Sequence, residues 1–487
     1  MKNLKKNYSS SISKLVFLTI FLLVTVTSQA ENRNVLELGA NPDGKTVNTV
    51  VIQNAIDQCS QTGGGEVIFP AGKYLTGSII LKSGVTLNLY KSATLLGSTN
   101  IEDYHRIKPD FVALRTGQKT IQLIFAEKQE DIGIKGEGTI DGQGKVFVRN
   151  GNDEGILRPH VIQFIDCKNV KIEGIFMTNS AAWMQHYLAC DNIRIKDIRV
   201  YNHCNCNNDG IDIDGCHDVI ISGCIVDSDD DGICLKSTSP RKCKNVIVSN
   251  CVVHSHCNSL KLGTETTGGF ENVQISNCTV SPCQKETVIY GQLAGQSAIS
   301  VEMVDGGILN QVSINHITVL ETGCPIFIRL GNRARKYSGQ ASEPGVGQLQ
   351  NVVISDIVAT TSSKITSNIT GIPGSYAENI YLRNIQITNK CNWTQEESKI
   401  VLPEKDEGYP TAGMFGQILP ASGFFIRHVK NIKLENISLT MEGENVPPAF
   451  VLDDVKGTYI RNHQINGFAN SELIKEKNCE NVQVINQ

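Results

Sequence analysis

The sequence predicts an all-β fold, a single-stranded parallel β-helix with a capping helix at its N-terminal end, and three observations carry that prediction. The first is a short recurring unit: an Asn or its stand-in, alternating apolar residues, a polar or Gly turn, then another alternating pair. It reads N-V-K-I-E-G-I at Asn169, N-I-R-I-K-D-I at Asn192, D-V-I-I-S-G-C at Asp218, N-V-I-V-S-N-C at Asn245 and N-V-Q-I-S-N-C at Asn272. The second is spacing. The first five copies step by 23, 26, 27 and 27 residues, and further copies follow at Asn351, Asn379 and Asn431. A constant strand signature with loops of varying length means coils that each rely on a neighbour to cover an apolar face. The third is a pair of acidic segments, Asn207–Gly215 and Asp227–Lys236. Aligned on their Gly-Ile steps, they put Asp209 over Asp231, 22 residues apart. That is about one coil, which stacks the acids within a few ångströms.

Taken in order, the chain opens with Lys2, Lys5, Lys6 and Lys14 ahead of the apolar run Leu15–Val26, then Ser28-Gln29-Ala30. Residues 1–30 are therefore expected to be a secretory signal cleaved after Ala30, with an uncleaved anchor as the other reading. Residues 31–487 form the expected β-helix domain, secreted or periplasmic and free of membrane once cleaved. N-P-D-G at Asn41 precedes Thr46–Ser60, where Val51, Ile52, Ala55, Ile56 and Cys59 recur at helical spacing. This predicts an amphipathic helix ended by Gly63-Gly64-Gly65, capping the open end of the stack. Strands are expected from Val67, Gly77 and Val85. The recurring Asn is expected to stack as an internal amide ladder. Loops at Arg333–Gly347 and Lys390–Pro420 interrupt the repeat and are expected to rim one side of a groove.

The formal net charge of −4 gives no support for nucleic-acid or membrane-surface binding. Thirteen of the sixteen cysteines fall between Cys167 and Cys324, many at strand positions. Small buried hydrophobes stacked between coils explain them at least as well as a disulfide framework. Cys204-Asn205-Cys206 lacks a second pair at zinc-finger spacing, so no metal site and no cofactor are expected. Architecture suggests a monomer.

The chemistry lies in the acids. Seven aspartates occupy the two segments, and between them Ile211, Ile213, Ile233 and Leu235 alternate with Asp212, Asp214, Cys234 and Lys236. Glycoside hydrolysis needs one carboxylic acid to protonate the leaving oxygen and one carboxylate to activate water or attack. Crowding raises one pKa and keeps that member protonated. Asp209, Asp230 and Asp231 supply such a set. The bland readings are a calcium cluster or solvated loop-tip acids.

Here the sequence resembles glycoside hydrolase family 28, the polygalacturonases and related pectin hydrolases. The resemblance rests on Asn207-Asn208-Asp209 for the Asn-x-Asp motif and on Asp230-Asp231-Gly232 for the Asp-Asp motif. It also rests on the G-G-G-E-V-I-F-P-A-G-K-Y segment from Gly63, G-E-G-T-I-D-G-Q-G from Gly136 and R-P-H-V-I-Q-F from Arg158, and spans most of 35–335. It implies a right-handed β-helix and single displacement with inversion. Asp230 would be the general acid, Asp209 and Asp231 would hold and deprotonate the water, and Asn207 would belong to the substrate site. Two motifs depart. Strict register puts Asn258 where the family has His, with His256 two residues early. Arg329-Leu330-Gly331 keeps the Arg of the Arg-Ile-Lys motif and loses the Lys. Arg333, Arg335 or Lys261 are the candidates to compensate, since an Arg fork suits a uronate carboxylate.

The expected substrate is pectic polysaccharide or a galacturonide oligosaccharide, rhamnogalacturonan included, with exo action among the options. Trp183, His186 and Tyr290 are further groove candidates, with rung packing the simpler account of Trp183 and Tyr290. The competing readings are a calcium-dependent pectate lyase on the same fold and a non-catalytic carbohydrate-binding β-helix.

Overall fold

The computed structural model describes residues 31–151, 155–337, 339–467 and 472–486. The expected signal segment lies outside them. Its strands wind into three parallel sheets because inward positions alternate with outward ones along every rung. In the middle of the chain one sheet carries Lys168–Glu173, Asp191–Lys196, His217–Ser222 and Cys243–Ser249. A second carries Phe176–Thr178, Arg199–Asn202, Ile225–Ser228 and Val252–Ser255. The third carries Gln185–Leu188, Ile211–Asp214, Ile233–Ser237 and Asn258–Thr266.

Identical apolar positions stack from coil to coil. Val170, Ile193, Val219, Val246, Val273, Val312, Val352, Ile380 and Ile432 form one buried row through successive parallel ladders. Each side chain contributes roughly 1.5–3 kcal/mol of burial. Further along, the first two sheets run together as long strands, Gly269–Ser281 and Ile308–Val319. These bend at Asn277 and His316, whose φ values of 55° and 54° turn the chain.

The repeat asparagines lie at such left-handed corners, Asn192 at φ 55° and Asn245 at φ 55°, a conformation Asn tolerates better than most residues. Their amides form the ladder. Asn192 Nδ2 donates to Asn169 Oδ1 at 2.7 Å, Asn245 to Asp218 at 2.8 Å and Asn272 to Asn245 at 2.8 Å. The ladder runs along the solvent-facing edge, which corrects the internal position expected for it. At a corner the inward positions belong to the apolar rows, and only the outer edge is left for an amide.

The helix spans Thr49–Gln61 and buries Ile52, Ala55, Ile56 and Cys59 against the first coil. It begins later than the periodicity suggests because Asp43–Val47 is claimed by a strand paired with Gly72–Thr76. All sixteen cysteines are free thiols. Several stack between coils, as where the Cys167 and Cys190 amides donate to Cys190 Sγ and Cys216 Sγ at 3.4 and 3.3 Å. Among the described residues no helix is long and apolar enough to cross a membrane.

Candidate active site

The acids gather on the third sheet because of its register. Ile211 pairs with Ile233 and Ile233 with Leu260. The Gly210 amide donates to the Asp231 carbonyl at 2.9 Å and the Gly232 amide to the Asn258 carbonyl at 2.9 Å. Asp209, Asp231 and Asn258 therefore occupy one position on three successive coils. The glycine after each acid is there for space. A Cβ on Gly232 would lie 2.4 Å from Val253 Cγ1 and 2.7 Å from the Ser259 carbonyl oxygen.

The three candidate acids are nearly buried, with Asp209 at 3%, Asp230 at 7% and Asp231 at 5% exposure. Asp231 Oδ1 accepts hydrogen bonds from Asn258 Nδ2 at 2.8 Å and the Asn258 amide at 3.2 Å, while Oδ2 accepts from Lys261 Nζ at 2.8 Å. Burial pushes its carboxyl up, but Lys261, Lys236 and these hydrogen bonds outweigh burial and hold it below the ordinary value. Asp230 has burial and then the charge of Asp231 against it, and its carboxyl rises to about 7. Burial, Asp212 and Asp230 push Asp209 well above the carboxylate range.

One cation sits among the remaining acids. Lys236 Nζ lies 3.5 Å from Asp209, 3.3 Å from Asp212 and 3.7 Å from Glu265, and 4.7 Å from the centre of the Trp183 ring. Glu265 accepts from Arg115 at 2.8 Å and Arg335 at 2.6 Å. Against burial, Arg115, Lys236 and Arg335 keep its carboxyl well below normal.

The structure distributes the expected substrate residues unevenly. Asn258 and Lys261 flank Asp231, as above. Asn207 accepts from Arg158 Nη2 at 2.9 Å and borders a cleft of about 610 Å³. Arg333 forks onto Asp305, donates to the Thr264 carbonyl at 3.0 Å and lies against the Tyr409 ring at 5.6 Å. Arg329 is fully buried. It donates to the carbonyls of Gly371 at 2.7 Å and Lys405 at 2.8 Å and packs on Phe415. It braces the loop before Phe424 rather than facing the acids. His256 is also fully buried, with Nδ1 3.0 Å from Asp229 Oδ1 and Nε2 3.1 Å from the Lys285 carbonyl. It is neither an exposed turn residue nor a wall of the groove, and supports the site from beneath. His186 is likewise enclosed, between Gln163 and Asp214. Trp183 is buried, with Arg115 and Lys236 against its ring.

The cleft is lined by Arg335 and Tyr290, both named from the sequence, and by Arg115, Arg149, Arg158 and Tyr409, which sequence reasoning did not assign to the site. Of these, Arg158 stands in a segment already noted for its resemblance. Glu265 lies on the same strand as Lys261. Tyr409, whose hydroxyl is 3.2 Å from Thr264 Oγ1, arrives on a distant loop with no local signal. One group of described residues has donor atoms close enough to suggest a metal, His203, His256 and Cys283, all within 4.8 Å. Three of its four ring nitrogens are already engaged, by Asp227, Asp229 and the Lys285 carbonyl. The cluster is therefore a hydrogen-bonded network.

Residues 59–403 match the model of glycosyl hydrolases family 28. The chain belongs to that family. The match extends beyond residue 335, into the loops that carry Arg335 and Glu397. A probable polygalacturonase of Vitis vinifera is 34% identical over 227 residues, 44% of this chain and 45% of the relative. An exo-poly-alpha-D-galacturonosidase of Dickeya chrysanthemi is 35% identical over 170 residues, 33% of this chain and 28% of the relative. The matched region thus spans less than half of these curated relatives. Among solved structures, a Yersinia enterocolitica family 28 exopolygalacturonase superposes with a TM-score of 0.66 at 18% identity, covering 89% of this chain and 78% of its own. A Thermotoga maritima exopolygalacturonase gives 0.60 at 23% identity, covering 74% and 87%. These likenesses show the fold, a right-handed parallel β-helix.

Proposed function

We propose that this family 28 protein is an inverting hydrolase of galacturonic-acid linkages in pectic polysaccharide, acting on chain ends. The observation that carries the reading is the convergence of Asp209, Asp230 and Asp231 on adjoining coils, with neighbouring carboxyls driven to opposite protonation states and with Lys236 linking Asp209 to Glu265 on the wall of an arginine-lined cleft. Asp230 keeps its proton and protonates the leaving oxygen. Asp231, held ionised by Lys261 and Asn258, takes the proton of the attacking water, and Asp209 shares in orienting that water as a hydrogen-bonding carboxyl. The planar guanidinium forks bind uronate carboxylates bidentately. Asn207, Asn258, Lys261 and Arg333 belong to the substrate site in this reading, and Arg329 and His256 act as supports. The loops carrying Arg335 and Tyr409 reach the third sheet at Glu265 and Thr264 and border the cleft, where they would block the path of a longer chain; this suits an exo mode, the mode named for the Dickeya relative. The N-terminal Lys-rich and apolar segment supports export, with the enzyme working as a monomer outside the cytoplasm.

The test is product analysis on polygalacturonate and on rhamnogalacturonan, run in parallel with chelator and with added Ca²⁺, for wild type and Asp230→Asn. Saturated monosaccharide released by wild type alone is the expected outcome. An ultraviolet-absorbing unsaturated product that requires Ca²⁺ would make the protein a lyase, and products indifferent to the substitution would remove Asp230 from the mechanism.

A further inference from the structure

The network beneath the acids does work that the hydrolytic scheme leaves unassigned. Asp229 precedes the candidate general acid and has no exposed surface. A carboxylate so placed survives only with its oxygens fully engaged. Besides the histidines His203 and His256, its partners are two amides of one loop, the excursion 282–296 between Gly269–Ser281 and Ser297–Met303. Asp229 Oδ1 accepts from the Ile289 amide at 2.9 Å, and Oδ2 accepts from the Tyr290 amide at 2.7 Å. Burial pushes the Asp229 carboxyl up, and His203, these amides and His256 more than offset it.

His256 extends the grip. Its ring nitrogens lie 3.0 Å from Asp229 Oδ1 and 3.1 Å from the Lys285 carbonyl, which packs the ring between the carboxylate and a third point on the loop. Lys285 Nζ returns a hydrogen bond to the His203 carbonyl at 2.8 Å. The Gln292 amide donates to the His256 carbonyl at 2.8 Å, and the Gln296 amide to the Cys257 carbonyl at 2.7 Å. Between these anchors Gly291, at φ 96°, presses on the rung so closely that a Cβ would meet the His256 carbonyl oxygen at 2.3 Å. What the loop delivers is Tyr290, beside Arg158, Asn207 and Tyr409 at the cleft.

We propose that Asp229 is a positioning residue whose buried carboxylate clamps this loop, holding Tyr290 over the acid and so fixing where the terminal galacturonide sits. One peptide bond joins the clamp to Asp230, so the cover and the acid move as one body. A cover held in place before substrate arrives spares the ordering cost of binding. The proposal rests on the galacturonide reading, and its test has an arm that does not.

In Asp229→Asn an amide replaces one of the acceptor oxygens. Hydrogen exchange over 286–292 should quicken at least tenfold while exchange on the rungs stays as in wild type. On galacturonide oligomers KM should rise about tenfold or more with kcat within threefold. Tyr290→Ala alters a side chain 41% exposed and leaves the buried network alone. It should reproduce the KM rise, without the change in exchange, even where the Asn variant fails to fold. Unchanged exchange in Asp229→Asn, unchanged KM in Tyr290→Ala, or a loss confined to kcat would overturn the clamp. A wild type that turns over no galacturonide would instead sink the substrate reading, and the exchange result would still decide the clamp.

Discussion

At Asp230 and Asp231 two neighbouring residues are asked to hold opposite charge states, and their surroundings explain how. Asp231 has an ammonium and two N–H donors on its oxygens, whereas Asp230 has the Asp231 amide at 3.0 Å and a thiol, Cys257. Turnover should therefore decline as pH rises through about 7, because the acid then loses its proton. Asp230→Asn should lower kcat by roughly 10²–10⁴-fold at every pH. Stability follows the same sign. The folded state keeps the Asp230 proton to about 7 while the unfolded chain releases it near 3.8, so wild type loses stability as pH rises between those values. The loss is at most roughly 4 kcal/mol. Thermal melts of Asp230→Asn and wild type should coincide near pH 4, and the variant should melt higher at pH 8. The acid pair, its spacing from Asp209 and the place of Asn258 were legible in the sequence, because each follows from counting along a period-two strand. The destinations of Arg329 and His256 were not. A long side chain, or one just before a rung, has several directions open to it, and the choice depends on carbonyls far away in sequence, such as Lys405 and Lys285.

The rungs carry this chemistry only because their turns are tight. Gly232→Ala sets a methyl against Val253 and a backbone carbonyl, and overpacking of that kind costs roughly 1–3 kcal/mol. Since the backbone in the way is the Ser259 carbonyl, next to the Asn258 that holds Asp231, kcat should fall far more than Tm, a split that paired kinetics and calorimetry would detect. Lys236→Met tests the outward face of the same rung. It leaves Asp209, Asp212 and part of Glu265 without their shared cation, and breaking buried pairs in this way destabilises by roughly 3–5 kcal/mol. The capping helix and these strands could be read from periodicity alone, with only the helix start displaced by a competing strand. The loops were visible as interruptions, but their convergence was not. Arg335 and Tyr409 meet over the third sheet because the coil returns each loop to the same side, a fact of winding that no local pattern encodes.

Across the whole molecule, stability accumulates coil by coil from nearest-neighbour contacts. The outer amide ladder belongs to that sum. Asn245→Ala removes two side-chain hydrogen bonds and strands an alanine at φ 55°, which together cost roughly 2 kcal/mol in a denaturant titration. The repeat period announced the stack. It could not say that the amides line the outside, because period and composition are the same for either face. The cysteines look different at this scale as well. Twelve of the sixteen thiols are buried and four, Cys204, Cys283, Cys391 and Cys479, are partly accessible. With no cross-link to make or break, the melting temperature should be the same with and without reductant. The thiols also serve as built-in tally marks spread along the column. A slow alkylating reagent followed by mass spectrometry should label those four in the native protein and reach the others only as the coils above them come apart. The order of labelling would then read out, coil by coil, the sequence in which the column unzips.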